Sequence, residues 1–225
     1  MCRKIMYDIY DFYKSHNGQR INNVLINQIN NLKLETFGKR VLEIGFPLFE
    51  QSFKEKGAER VISAVIPKFA DAAIKAKKDG CSNVVITNDY LLPFSNCFFD
   101  IIILNHSLEH SLAHEKLLKE VWRILADGGN LITITPSAFN VWRFVKKSHY
   151  YQTNALFKFS INNILKNLKF TIKDIRTFNS FPKKFVLCQA QKKVFSAILS
   201  SSSKTENAPN NKYAVATNWS SNFKE

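Results

Sequence analysis

Two hydrophobic rhythms take turns along this chain, and their alternation predicts its fold. Between residues 4 and 36, apolar side chains recur at helical spacing at Ile21, Leu25, Ile29 and Leu32, which predicts one or two helices ahead of the first strand. Strand-like and helix-like segments then alternate: a strand over 40–45, a helix near 48–57, a strand over 60–66, a helix near 67–79 closed by Gly80, and a strand over 83–87. The run 99–104 is apolar except for Asp100, as expected of a strand buried on both faces of a parallel sheet. A helix over 112–126 follows, with Leu117, Leu118, Val121, Trp122 and Leu125 on one stripe. Asp127-Gly128-Gly129 is expected to end it, and 131–135 supplies a fifth strand before Pro136. A helix near 160–168 and strands over 170–176 and 184–190 complete the pattern, the last two as an antiparallel pair at a sheet edge. Short connections and this order imply right-handed crossovers. The predicted fold is a Rossmann-like, doubly wound α/β domain with a mostly parallel seven-stranded sheet and helices on both faces.

The length of 225 residues suits one such domain with terminal extensions. The expected division is an N-terminal helical segment over 1–36, the α/β domain over 37–199 with a lid or insertion over 137–160, and a disordered Ser/Asn/Lys-rich tail over 200–225. Charges within the first twenty residues rule against a signal peptide, and no later apolar run reaches membrane-spanning length. Cys2, Cys81, Cys97 and Cys188 are scattered, so a reducing cytoplasm is expected. The charge of +14 is uneven: residues 1–135 carry 17 Lys and Arg against 15 Asp and Glu, whereas 136–225 carry 15 against 3. That asymmetry suits either an anionic partner or a solvated basic surface.

In open parallel sheets the ligand lies beyond the carboxyl ends of the strands, so those ends are where chemistry is expected. The first ends in Glu43-Ile44-Gly45-Phe46-Pro47, and a glycine there allows close backbone approach. The block 88–137 reads NDYLLPFSNCFFDIIILNHSLEHSLAHEKLLKEVWRILADGGNLITITPS. With Asp89, Leu92-Pro93-Phe94, Phe99-Asp100, the stretch from Asn105 to His110, Trp122-Arg123-Ile124-Leu125 and Gly128-Gly129 in order, it closely resembles the class I S-adenosylmethionine-dependent methyltransferases of type 11. Glu43 and Gly45 extend the resemblance over roughly 40–137. A narrower likeness, to bacterial methyltransferase-like proteins, rests on Asp11-Phe12-Tyr13, Gly18-Gln19-Arg20 and Val65-Ile66-Pro67.

The resemblance implies S-adenosylmethionine as cofactor, held by Glu43, Gly45 and Phe46 at its methionine portion and by Val65 at the ribose. Asn88 or Asp89 would meet the adenine, and Tyr90 and Asn105 are further candidate cofactor-binding residues. This chain departs from that pattern at Phe46, Pro47, Leu48 and Phe49, which replace further glycines. It departs again at Val65, which cannot accept from a ribose hydroxyl, a loss of about 0.5–3 kcal/mol. His106 is the candidate base for methyl transfer, set against its being a helix-start residue bonded to backbone. Glu109 reads as a first-turn helix acid and Trp122 as core. His106, His110 and His114 recur at i, i+4 and i+8, but no zinc-enzyme motif accompanies them and no metal is assigned.

Within the insertion, Trp142, Arg143, Lys146, Lys147, His149 and Tyr150 are candidate substrate residues, the cations for an anionic group and the rings for stacking. The plain alternative is rings capping the sheet with solvated cations. The function implied is methyl transfer to an acceptor, small or polymer-borne, an anionic one suiting the basic second part. The alternatives are a catalytically inactive methyltransferase-fold module and a basic nucleic-acid-binding protein, the last without any recognised RNA-binding motif. Oligomeric state is left open.

Overall fold

The computed structural model describes residues 9–78, 80, 83–88, 90–111, 113–137, 158–180 and 183–194. The expected lid over 137–160 lies outside these residues except for Ser137 and its last three positions, and the expected tail over 200–225 lies outside them altogether.

The N-terminal periodicity resolves into two helices, α1 (Ile9–Lys14) and α2 (His16–Asn30). Ser15 divides them: its Oγ accepts the Gly18 N–H at 3.2 Å and so caps α2. A Cβ on Gly18 would stand 1.9 Å from the Phe12 carbonyl oxygen. The glycine therefore lets the first turn of α2 press on the end of α1, which sets the position of Tyr13. Ile21, Leu25 and Ile29 form the buried stripe of α2, each contributing about 1.5–3 kcal/mol by leaving water.

The remaining elements are β1 (Arg40–Gly45), α3 (Glu50–Glu55), β2 (Arg60–Val65), α4 (Ala70–Lys78), β3 (Val84–Ile86), β4 (Phe99–Asn105), α5 (His114–Ile124), β5 (Leu125–Pro136), α6 (Lys158–Asn167), β6 (Phe170–Ser180) and β7 (Lys183–Lys192). A single turn of 3-10 helix, Pro67–Phe69, leads into α4. The strands form one seven-stranded sheet in the order β3-β2-β1-β4-β5-β7-β6. Neighbours from β3 to β5 are parallel, and β7 pairs antiparallel with both β5 and β6.

Alternate residues of each central strand face opposite layers, so Ile101 and Ile103 join one core with α1, α2, α3 and α4, while Ile102 and Leu104 join the other with α5 and α6. Both faces are covered, which is why 99–104 carries no polar alternation.

One expectation fails in detail. Asp127-Gly128-Gly129 does not end the helix: α5 stops at Ile124, and Leu125 is already extended and pairs with Phe99. The glycines lie in an irregularity of β5, after which Asn130 pairs with Ile101. The end of α5 is satisfied from elsewhere, because the buried Lys192 ammonium of β7 donates to the carbonyls of Trp122 and Leu125 at 2.8 and 2.7 Å. Among the described residues no helix is long and apolar enough to cross a membrane.

Candidate functional site

The strand order reverses between β1 and β4, so the crevice at their carboxyl ends is where this architecture places a ligand. Gly45 ends β1 at φ +117°, and a Cβ there would lie 1.8 Å from the Asn105 carbonyl oxygen. That same carbonyl accepts the Phe46 N–H at 3.1 Å. Gly45 is thus required by the protein's own backbone at the end of β4, before any ligand is considered.

Glu43 is buried, and both its oxygens are used by the following loop: Oε1 accepts the Leu48 N–H at 2.8 Å and Oε2 the Phe49 N–H at 3.1 Å. Asn105 Nδ2 donates to Glu43 Oε1 at 3.4 Å and to the Phe46 carbonyl at 2.8 Å. Burial pushes the Glu43 carboxyl up to about 8, against the opposing effect of these donors. Phe46, 3% exposed, stacks on the Tyr13 ring with centroids 5.5 Å apart and planes at 13°.

His106 follows β4 with φ +57°, a conformation that costs a non-glycine residue of order 1–3 kcal/mol. Two side chains hold it there. Its Nδ1 lies 2.7 Å from Glu109 Oε1 and its Nε2 lies 2.6 Å from the Tyr13 hydroxyl. With Glu109 as carboxylate, Nδ1 carries the proton and Nε2 accepts the Tyr13 O–H. The imidazole is fully buried, with its two nitrogens on the Glu109 and Tyr13 side chains. Glu109 likewise precedes α5, five residues before its first turn, and serves His106 rather than the helix dipole. His106 and His110 precede α5 while His114 opens it, so the three histidines do not share a helical face. Asn105 Oδ1, Ser107 Oγ and Glu109 Oε2, all buried in this crevice, make no hydrogen bond among the described residues.

The neighbouring edge is different. At the carboxyl ends of β2 and β3, a cavity of about 280 Å³ is lined by Ile66, Pro67, Lys68, Tyr90, His110 and Lys116. Tyr90 is 53% exposed, and Asn88 beside it is also exposed. The Lys68 ammonium donates to His110 Nδ1 at 2.8 Å. Burial holds that ammonium below its ordinary range, with Glu109 acting the other way. Val65 is fully buried in the core, so its side chain is not part of the cavity.

Of the residues expected at the cofactor, Glu43, Gly45, Phe46 and Asn105 gather at the β1–β4 crevice with His106. Asn88 and Tyr90 gather at the β2–β3 edge, and Val65 joins neither. Asp89 lies outside the described residues, as do Trp142, Arg143, Lys146, Lys147, His149 and Tyr150. Tyr13, Glu109, Lys68 and Lys116 were not expected as site residues. The pairing of Tyr13 with the later Gly18 was the one available signal for the first of them.

Residues 48–133 match the family described as the methyltransferase domain. No curated protein matches the chain. Among solved structures, the fold is similar to that of a SAM-dependent methyltransferase from Aquifex aeolicus, with 14% identity and a TM-score of 0.61 over 82% of this chain and 98% of that one. It is similar also to geranyl diphosphate C-methyltransferase from Streptomyces coelicolor, solved with Mg2+, geranyl diphosphate and S-adenosyl-L-homocysteine (13% identity, TM-score 0.60, 77% and 80% covered). The [4+2]-cyclase SpnF shares the fold too, at 15% identity and a TM-score of 0.58 over 79% of this chain and 81% of its own. The architecture is that of the class I methyltransferases, and residues 48–133 are similar to the methyltransferase domain family.

Proposed function

We propose that this protein binds S-adenosylmethionine at the carboxyl ends of β1 to β4 and passes its methyl group to an acceptor, small or polymer-borne. The observation that carries this reading is the cavity beside Ile66–Lys68, Tyr90 and His110, which opens at the ligand edge of a methyltransferase fold. The nucleoside part of the cofactor suits it: the lining is mostly apolar, Tyr90 offers a ring for a base, and the Asn88 amide stands within the same loop. The amino-acid part does not suit the β1–β4 crevice as it stands, because Tyr13 and Phe46 fill it.

In this reading His106 polarises Tyr13 rather than touching an acceptor, since the imidazole is fully buried. The excess of cations over 136–225 favours an anionic acceptor, with Arg143, Lys146, Lys147 and His149 as its contacts and Trp142 and Tyr150 as stacking partners. Cys97 and Cys188 are free thiols, which suits a reducing cytoplasm.

Calorimetry of the purified chain with S-adenosylmethionine and S-adenosylhomocysteine tests the reading. One-to-one binding, weak but measurable at millimolar ligand, is expected, and no heat at that concentration would overturn it. A second reading, a methyltransferase-fold module that binds without catalysing, is favoured by the filled crevice. It predicts nucleoside binding with no S-adenosylhomocysteine formed when the protein and cofactor are supplied with cell extract as a source of acceptors.

A further inference from the structure

The ligand edge of this sheet has an open part, beside β2 and β3, and a filled part, between β1 and β4. The open cavity measures about 280 Å³, just under the roughly 300–1,000 Å³ of sites that enclose a whole drug-sized ligand. It has room for part of an adenosyl cofactor. The filled part is the crevice at the strand reversal, where the Tyr13 ring lies on Phe46 and the Tyr13 hydroxyl is bonded to His106 Nε2. Three polar atoms of the crevice have no partner among the described residues: Asn105 Oδ1, Ser107 Oγ and Glu109 Oε2. Asn105 contacts Phe46 directly, and Glu109 reaches Tyr13 through His106. All three can accept, the chemistry an amino-acid ammonium needs, and all three are buried.

We infer that Tyr13 is the specificity-determining residue of this site: with its ring on Phe46 the protein takes an adenine nucleoside without an amino-acid tail, and the tail of an adenosyl amino acid enters only when Tyr13 leaves the crevice. The inference rests on the adenosyl-cofactor reading above and adds to it which half of the ligand is admitted. Tyr13 comes from a helix of six residues, α1, and its ring and hydroxyl are held by Phe46 and His106.

Calorimetry of the full chain with 5′-methylthioadenosine and with S-adenosylhomocysteine, which differ by the tail, tests this. The unaltered protein should bind methylthioadenosine about tenfold or more tighter. Tyr13→Ala should tighten S-adenosylhomocysteine about tenfold while moving methylthioadenosine less than about threefold, and Tyr13→Phe, which keeps the ring, should behave as the parent. S-adenosylhomocysteine binding the unaltered protein as tightly as methylthioadenosine would overturn the inference and leave the cofactor reading standing. So would a Tyr13→Ala variant that binds methylthioadenosine without any gain for S-adenosylhomocysteine. Binding of neither ligand to parent or variant would overturn both. If Tyr13→Ala does not melt cooperatively, Phe46→Ala replaces it, and the ratio measured on the unaltered protein stands by itself.

Discussion

The carboxyl ends of β2 and β3 and those of β1 and β4 belong to one edge of one sheet, yet they treat polar side chains in opposite ways. Around the first pair, Lys68, Tyr90 and Lys116 are exposed about a cavity. Around the second, Glu43, Asn105, His106 and Glu109 are each no more than 1% exposed and are bonded to the protein itself. Residues of the types that hold a ligand can therefore be consumed by closing the crevice they line. Which use a residue has depends on what else reaches it, here an aromatic side chain from α1.

The largest effect should come from the point where β1 meets β4. Gly45→Val puts a branched side chain at φ +117° and into the Asn105 carbonyl, and should cost about 4 kcal/mol, read from urea unfolding without any ligand. A stable variant that merely loses ligand affinity would show that the crevice opens in solution.

Next is Glu43, whose folded value of about 8 lies above its ordinary 4.5. Folding then favours the protonated form. The stability tied to it is fully present below pH 4.5, falls by about 1.4 kcal/mol per unit as pH rises toward 8, and changes no further above that. Glu43→Gln cannot ionise, so from pH 5.5 to 7.5 its unfolding free energy should move by about 3 kcal/mol in its favour relative to the parent. Parallel pH dependences would show that Glu43 is ionised inside the fold, and the contrast between the two edges would lose its buried acid.

Tyr13→Phe removes the hydroxyl that donates to His106 while leaving the ring on Phe46, and should cost about 1–2 kcal/mol in the denaturant midpoint. A larger loss would mean that the hydrogen bond, rather than the stacked rings, closes the crevice. The smallest effect belongs to the exposed pair. Lys75→Ala removes a surface ion pair to Asp11 and should shift stability by about 0.5 kcal/mol or less, and less again in high salt.

What the sequence by itself determined is the architecture. An amphipathic stripe such as Leu117, Leu118 and Val121, or an unbroken apolar run such as 99–104, reports burial through neighbours two to four residues away, and that information is local. The gathering of Glu43, Gly45, Phe46, Asn105 and His106 at one place was legible too, because strand ends at a reversal of strand order converge whatever side chains they carry. Only the tertiary structure decided what those residues do there. Tyr13 meets His106 across 93 positions of sequence, Gly45 faces the carbonyl of Asn105, and Lys192 closes the helix that Gly128 and Gly129 were expected to end. Such contacts are set by how strands register and by how α1 docks on their ends, and neither leaves a periodic trace along the chain.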